Sequence, residues 1–238
     1  MDGLIALGGT LGLLLVAGAV IGLAQRRNFD VRWLLIAALL VAVNDLLLTR
    51  GYGLLPKLVP AATRNWQGQI LALGATLVLA SLPAFGWRRV GLTIKQRGGS
   101  LRAAVPVALL YCAFFLGIAL VFGGDTSTPE DVAFQLTMPG FQEEPFYRGI
   151  LLFALDRAFT ARVRLLGVDW GWGAVLSCLL FGLAHAFGYG DGAFSFDPMV
   201  MALTAMPSFI AVWLRYRTGS LLLPVLLHNF GNSISLWI

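Results

Sequence analysis

The chain has 238 residues, of which 58% are hydrophobic and only 12% are charged. A soluble domain carries about 25% charged residues, so this chain has too few polar side chains to cover a water-facing surface, and a soluble fold is excluded. The net charge of +5 comes from short segments between apolar runs, with no basic helix or aromatic–basic alternation, so we expect the lipid bilayer and no nucleic acid as partner.

A helix that spans a bilayer needs roughly 20 apolar residues, and eight runs of about that length follow one another along the chain. Backbone groups in lipid must pair within the protein, so each run is predicted to be a helix. Prolines interrupt the fifth and seventh runs. The sequence therefore predicts an all-α fold, a polytopic transmembrane helical bundle of about eight spans. The runs cover residues 3–24, 31–48, 66–85, 103–122, 132–159, 171–187, 198–214 and 220–238.

The charged residues between the runs are distributed unevenly. Alternate loops carry 13 basic residues on one side of the membrane against 3 on the other. Cytoplasmic loops carry the excess of basic residues, so we expect the larger set in the cytoplasm and both chain termini outside. The larger set is Arg26, Arg27, Arg32, Arg88, Arg89, Lys95, Arg97, Arg102, Arg157, Arg162, Arg164, Arg215 and Arg217; the outer loops hold Arg50, Lys57 and Arg64, with the acidic Asp125, Glu130, Asp131, Asp191 and Asp197.

Two glutamates, Glu143 and Glu144, lie side by side in the fifth run. An ionisable residue inside a span costs roughly 2.5–3.5 kcal/mol on insertion scales and is a functional hypothesis by default. Arg148 follows Glu144 by four residues on the same helical face, so these two are predicted to form an ion pair. Glu143 projects about 140° away from Arg148 and is predicted to face a cavity, beside the kink that Pro145 imposes.

Both histidines of the chain, His185 and His228, lie in later apolar runs. His185 shares a helical face with Phe181, and His228 shares one with Asn232, because each pair is four residues apart. A single such histidine is more often a packed side chain, and His228 with Asn232 alone could be a polar clamp between helices. Together with the two glutamates, these residues predict an active site inside the bundle.

The three patterns resemble the motifs of the CPBP family, also called the Abi family. This family comprises type II CAAX prenyl endopeptidases and bacteriocin-processing or bacteriocin-immunity proteins. The resemblance covers roughly residues 130–238, so we expect two regions: N-terminal transmembrane helices without a readable motif at 1–125, and a CPBP-like catalytic helical core at 126–238. The matching motifs are Glu-Glu-x-x-x-Arg at 143–148, Phe-x-x-x-His at 181–185 and His-x-x-x-Asn at 228–232.

The resemblance implies an intramembrane endopeptidase that acts on a membrane-associated substrate. That substrate would be a CAAX-type prenylated protein or a peptide such as a bacteriocin precursor. The expected location is the plasma (inner) membrane of a prokaryote, and the sequence carries no signal for the oligomeric state. The resemblance also implies roles for six residues. Glu143, assisted by His185, would activate water, and His228 and Asn232 would stabilise the oxyanion. Glu144 and Arg148 would orient the site.

A zinc-dependent peptidase built from the same residues is the first alternative, because Glu143, His185 and His228 form a catalytic zinc set. We nevertheless expect no metal or other cofactor. Helix spacing gives His185 only Phe181 as a companion, which offers no strong hydrogen-bond acceptor, whereas a zinc-bound histidine needs one. The charge nearest to Glu143 is expected to be the cation of Arg148.

Two further functions belong to other classes. A proton-coupled transporter would also place glutamate and histidine inside the membrane, but transporters are built from inverted repeats or paired broken helices, and the sequence shows no such symmetry. A non-catalytic immunity or scaffold protein could use the same fold and the same residues for packing. A peptidase assay separates both of these from the enzyme.

Overall fold

A computed structural model of the chain describes residues 1–54, 60–123 and 127–238. Lys57 and Asp125, which entered the charge distribution above, lie outside the described residues. The all-α prediction is confirmed: helices dominate the chain, and each of the eight apolar runs contains at least one. The α-helices are α1 (Asp2–Ala24), α2 (Val31–Thr49), α3 (Trp66–Ser81), α4 (Leu101–Phe122), α5 (Pro129–Gln135), α6 (Met138–Glu144), α7 (Leu152–Ala158), α8 (Trp172–Ala186), α9 (Pro198–Thr218) and α10 (Leu222–Ser233).

Two short hairpins interrupt the helices, and the apolar runs did not predict them. Strands β1 (Val163–Leu165) and β2 (Val168–Trp170) pair between α7 and α8. Strands β3 (Phe187–Gly190) and β4 (Ala193–Phe196) pair directly after α8. Each is an isolated antiparallel pair, so neither changes the fold class.

By length and composition, four helices of the described residues can cross a membrane: α1, α2, α4 and α9. The other apolar runs form shorter helices, with 16 residues in α3, 15 in α8 and 12 in α10. Four of the eight expected spans are therefore helices long and apolar enough to cross a membrane. The difference arises because turns, hairpins and proline breaks occupy residues that the apolar runs included.

The fifth run is not the single kinked helix that the sequence predicted. It is divided into α5, α6, a π-helical segment (Pro145–Leu151) and α7. Pro145 has no backbone N–H, so the α-helical bond to the carbonyl of Phe141 cannot form, and the following hydrogen bonds shift by one residue. Such π-helical turns occur frequently at functional sites, and this one begins directly after Glu144.

The N-terminal helices pack closely against the C-terminal part of the chain. Gly18 of α1 lies against Leu34 of α2, where a β-carbon on the glycine would stand 2.7 Å from the leucine side chain. Gly9 lies between the rings of Phe187 and Phe194 of the β3–β4 hairpin, each 2.9 Å from such a carbon. The absence of side chains at these glycines lets α1 contact both α2 and the hairpin.

The loops of the larger basic set meet at one end of the bundle. Arg97 donates to the Tyr216 carbonyl at 2.8 Å, and Arg215 donates to the Arg89 carbonyl at 2.7 Å. Asp30 donates its N–H to the carbonyl of Ala158 at 2.9 Å. The connections along the chain thus bring these loops together, as the positive-inside prediction requires.

The opposite end of the bundle is more acidic. Glu130 accepts hydrogen bonds from the backbone N–H groups of Thr63 and Arg64, and these bonds lower the pKa of its carboxyl group. Asp131 accepts from Thr128 and Arg64, so that its pKa falls to about 2. Both carboxylates therefore stay ionised at neutral pH and hold the start of α5 against the start of α3.

We predict that the basic end faces the cytoplasm. In a bacterial host, a reporter active only outside the cytoplasm should give a signal when fused after Ile238, and a reporter at Gly98 should behave as cytoplasmic. The expected direction follows from the excess of basic residues at the Gly98 end. Reversed signals at both positions would contradict this orientation.

Candidate active site

The candidate site is built from three helices that lie far apart in the sequence. Glu143 is near the end of α6, His185 near the end of α8 and His228 in α10. The Glu143 Oε2 atom lies 3.7 Å from Nε2 of His228 and 3.9 Å from Nε2 of His185. The structure thus brings the predicted base and both predicted histidines to one point.

A buried ion pair supports this arrangement. Arg148 Nη1 lies 3.1 Å from Glu144 Oε1, and the two side chains are only 2% and 1% exposed. The predicted pairing of these residues is confirmed. Nδ1 of His228 lies 2.7 Å from the same Glu144 oxygen, so the ring donates this hydrogen bond to the carboxylate. Glu144 therefore connects Arg148 to the Nδ1 side of the His228 ring.

The ring of Phe181 contacts three side chains of the candidate site. The guanidinium carbon of Arg148 lies 3.9 Å from the centre of the ring, a cation–π contact. The His185 ring lies 4.7 Å from that centre, and His228 meets it edge to face at 5.9 Å. Replacing this aromatic ring would disturb all three side chains, so the spacing of Phe181 and His185 in the motif Phe-x-x-x-His has a packing role here.

The hydrogen bonds of the histidines differ from those expected. Nδ1 of His185 donates to the main-chain carbonyl of Phe181 at 2.8 Å, so the expectation that Phe181 offers no acceptor was wrong. Helical spacing predicts which side chains share a face, but the acceptor here is a backbone carbonyl. The partner of His228 is Glu144 rather than Asn232. Each Nδ1 atom therefore already forms a hydrogen bond, and the Nε2 atom on the other side of each ring faces Glu143. His185 is also less deeply placed than expected, with 37% of its side chain exposed.

Asn232 lies near these residues without being bonded to them. It lines a cavity of about 80 Å³ together with Glu144, Arg148, Tyr111 and His228. In the part of the chain that the structure describes, no hydrogen bond joins its amide to His228, and the residue is exposed. The amide is therefore available to a ligand.

Asn229 is a polar residue near the site that the sequence motifs did not identify. Its Oδ1 atom accepts the backbone N–H of Gly140 at 2.8 Å, and both groups are buried. A β-carbon at Gly140 would lie 2.4 Å from this oxygen, so only glycine permits the approach. The bond holds α10 against α6, the helix that carries Glu143.

A second missed contact comes from the N-terminal region. Gln142, which precedes Glu143, donates from Nε2 to Oδ1 of Asn44 at 2.8 Å, and both side chains are buried. Asn44 and its neighbour Asp45 are two polar residues in the C-terminal half of the apolar helix α2. Two adjacent polar residues within an apolar helix are a sequence signal of the same kind as the adjacent Glu143 and Glu144. The hydrogen bond to Asn44 joins α2 to the segment that carries Glu143.

The side chains around Glu143 bear on whether the site could hold a metal. Arg148 is paired with Glu144, and the ionisable groups within 4 Å of Glu143 are the two histidines. The acceptors that zinc-bound histidines require are also present, in contrast to the expectation. Among the described residues, however, no group of three or more His, Cys, Asp or Glu side chains is arranged to hold a metal ion.

Comparison with known proteins concerns the C-terminal part of the chain. A family model described as type II CAAX prenyl endopeptidase Rce1-like matches residues 126–234. No curated protein and no solved structure matches the chain. The matched residues include both glutamates and both histidines of the candidate site. The match confirms, over residues 126–234 of this integral membrane protein, the resemblance to this family that the sequence motifs indicated.

Proposed function

We propose that the chain is an intramembrane endopeptidase in which Glu143 activates the attacking water. The convergence of Glu143 with His185 and His228 carries this proposal. The separations of 3.7 and 3.9 Å exceed a direct hydrogen bond, and polar groups at such distances commonly share a water. A water held among these three groups would be positioned to attack a peptide carbonyl.

In the proposed reaction, the Glu143 carboxylate takes a proton from this water as its oxygen attacks the carbonyl carbon. His185 orients the water through Nε2. When Nε2 of His228 carries a proton, it donates to the developing oxyanion together with the Asn232 amide, and removing one such donor typically costs about 100–1,000-fold in rate. The proton held by Glu143 then passes to the leaving amine, and the carbon–nitrogen bond breaks.

Glu144 and Arg148 are positioning residues in this scheme. The Glu144 carboxylate accepts from Nδ1 of His228, which fixes the orientation of the imidazole ring. Arg148 balances the charge of Glu144 in a buried position, where an isolated carboxylate would be costly. The ion pair therefore fixes the orientation of the His228 ring. Its two charges cancel, so it adds no net charge beside Glu143.

For the substrate we propose a membrane-associated protein or peptide, either a CAAX-type prenylated protein or a peptide precursor such as a bacteriocin. The family description supports the first of these. His185 is carried on the apolar helix α8, and Glu143 and His228 meet it there, so the scissile bond would have to come to the bilayer. We also propose that the protein resides in the plasma membrane of a prokaryote.

The test uses purified protein reconstituted into lipid vesicles. It is incubated with a peptide that ends in an S-farnesyl cysteine and three further residues, beside an unprenylated, membrane-anchored peptide. We expect cleavage of at least one peptide, seen as a defined product mass. Cleavage of neither peptide would favour a non-catalytic immunity or scaffold protein with this fold.

We further propose that catalysis needs no metal. A glutamate base with two histidines supplies both the proton acceptor and the donors that hydrolysis needs. Activity should persist within about two-fold after prolonged dialysis against EDTA or phenanthroline, and elemental analysis of active protein should show far less than one metal ion per chain. Loss of activity on chelation, with recovery on adding zinc, would instead make Glu143, His185 and His228 zinc ligands.

A further inference from the structure

A cavity of about 500 Å³ lies at the basic end of the bundle, away from the candidate active site. Its walls are the segment that leads into α4, the β1–β2 hairpin and the end of α9. Pockets for small ligands are typically about 300–1,000 Å³, so this one is large enough for a polar ligand. The charged groups that line it, among the described residues, are four arginines and one carboxylate: Arg97, Arg162, Arg164, Arg217 and Asp169.

The positive charge of this cavity is only partly balanced. Two of the four arginines have an acidic partner, at 2.9 Å within the hairpin and at 3.0 Å beside it. The other two, Arg97 and Arg217, form no ion pair closer than 4 Å within the described residues. Arg97 is held in place because its Nη1 donates to the carbonyl of Tyr216 at 2.8 Å. The cavity thus has two positive charges in excess, and one of them is already oriented, which lowers the ordering cost of binding an anion.

The start of α4 adds to this positive potential. The helix has 22 residues and begins after Ser100, which lines the cavity and forms no side-chain cap. The first backbone N–H groups of a helix have no partner within it, and they carry the positive end of the helix dipole. They therefore favour an anion in the same place as the two unpaired arginines.

An apolar groove of about 430 Å³ continues the cavity along the same three elements, and all of its described lining residues are hydrophobic. At the tip of the hairpin, Leu166 lines the groove and the next residue, Gly167, lines the basic cavity. The indole N–H of Trp213 donates to the carbonyl of Leu166 at 2.9 Å. This bond joins α9 to the hairpin tip and satisfies the polar atom of the tryptophan, so the ring presents an apolar surface to the groove.

One face of α9 connects the groove to the cavity. Phe209, Trp213 and Arg217 follow one another at intervals of four residues and therefore lie on the same face of the helix. The two aromatic residues line the groove, and Arg217 lines the cavity. At a rise of 1.5 Å per residue, Phe209 and Arg217 are separated by about 12 Å along the helix axis. A cation and an apolar channel thus follow each other in the order of a charged headgroup and its acyl chain.

The hairpin beside the cavity and the groove has a surface suited to a membrane interface. Val163, Leu165 and Leu166 are 72%, 56% and 73% exposed, and the charged Arg164 lies among them with 64% of its side chain exposed. The other two walls belong to α4 and α9, which can both cross a membrane by length and composition. Exposed apolar patches mark contacts with membranes or proteins, and basic residues near a membrane attract anionic lipids.

We propose that the cavity and the groove together bind one anionic phospholipid. Its phosphate group is bound by Arg97 and Arg217 at the start of α4, and one of its acyl chains lies in the groove along α9. A free phosphate or an acidic peptide would use the positive charge of the cavity but would leave the apolar groove unfilled. The lipid site is separate from Glu143 and the histidines, so it does not depend on the peptidase mechanism.

The test titrates purified protein in a neutral detergent with phosphatidylglycerol or with phosphatidylcholine of the same acyl chains. Native mass spectrometry counts the bound lipids. A basic residue near an anionic lipid surface strengthens binding about 5-fold, so two unpaired arginines should give phosphatidylglycerol a Kd about 30-fold lower than that of phosphatidylcholine, with one lipid per chain.

Variants separate the headgroup from the acyl chain. Arg217→Gln should weaken the binding of phosphatidylglycerol about 5-fold and leave phosphatidylcholine unchanged, whereas Arg217→Lys should keep most of the preference. Val107→Trp places a large side chain in the groove and should weaken both lipids. Arg26→Gln removes an exposed arginine outside the cavity and is the control, with wild-type affinity expected. Thermal unfolding without added lipid shows that each variant is folded.

Three results would overturn the lipid site. Equal affinity of the wild type for the two lipids would show that the cavity selects no anionic headgroup. Equal losses in Arg26→Gln and Arg217→Gln would reduce the preference to a general attraction by the basic end. Displacement of phosphatidylglycerol by an equal concentration of inorganic phosphate or of an oligoglutamate peptide would assign the cavity to a soluble anion.

Discussion

Replacing Glu143 with glutamine is expected to lower peptide hydrolysis by about 100- to 10,000-fold, the range typical for loss of a general acid–base group. The amide keeps the size of the side chain but cannot take a proton from water. Glu143 forms no ion pair as close as that of Glu144 with Arg148, so the fold should tolerate the change. The measurement is kcat/KM on the prenylated peptide, with thermal unfolding recorded in the same detergent.

The matched control for this variant is Asp169→Asn. Asp169 lies in the exposed β1–β2 hairpin, where its side chain is 59% exposed and pairs with Arg164. It also exchanges a carboxylate for an amide, yet it should keep wild-type activity. Wild-type turnover by a folded Glu143→Gln protein would remove Glu143 from the mechanism.

Replacing Arg148 with alanine is expected to destabilise the protein by about 3–5 kcal/mol, the usual cost of removing one partner of a buried ion pair. The change leaves Glu144 as a buried carboxylate whose one remaining partner among the described residues is His228. It also removes the cation above the Phe181 ring. Activity should fall with stability, because His228 loses the arrangement that orients it. Denaturant unfolding in detergent measures the first effect.

A double-mutant cycle separates the pair from the general loss of packing. Glu144→Gln together with Arg148→Met removes both charges while keeping side-chain volume, and should recover part of the stability that each single change loses. Arg164→Ala serves as the control, since its partner is exposed and such pairs contribute about 0–1 kcal/mol. Strictly additive losses in the cycle would contradict a coupled pair.

The helices could be predicted from the sequence because lipid leaves the backbone few other ways to pair its polar groups. Their ends could not. Pro145 predicts a broken hydrogen bond, but it does not determine that the chain continues as a π-helical segment to Leu151. The β3–β4 hairpin follows His185 in a stretch that apolar periodicity did not mark as strand, and it depends on packing against Gly9.

Within the site, contacts between neighbouring residues of one helix could be predicted from the sequence, whereas contacts between distant helices could not. The Glu144–Arg148 pair was predictable because four residues in a helix bring two side chains together. The bond from His228 to Glu144 joins α10 to α6, and no helical spacing encodes it. Asn44 and Asp45 are polar residues in an apolar run, and the cost of placing them in lipid could have marked α2 as more than packing, although the sequence motifs indicated no role for this region.

The central claim, that Glu143 activates water and does not attack the substrate itself, can be tested with a single turnover in water enriched in oxygen-18. Excess protein is mixed with the prenylated peptide, and the product carboxylate is weighed by mass spectrometry. Direct attack by activated water predicts one oxygen-18 atom in the new carboxylate during the first turnover. An unlabelled product carboxylate, with the label appearing on Glu143, would show that the glutamate forms a covalent intermediate and would contradict the mechanism.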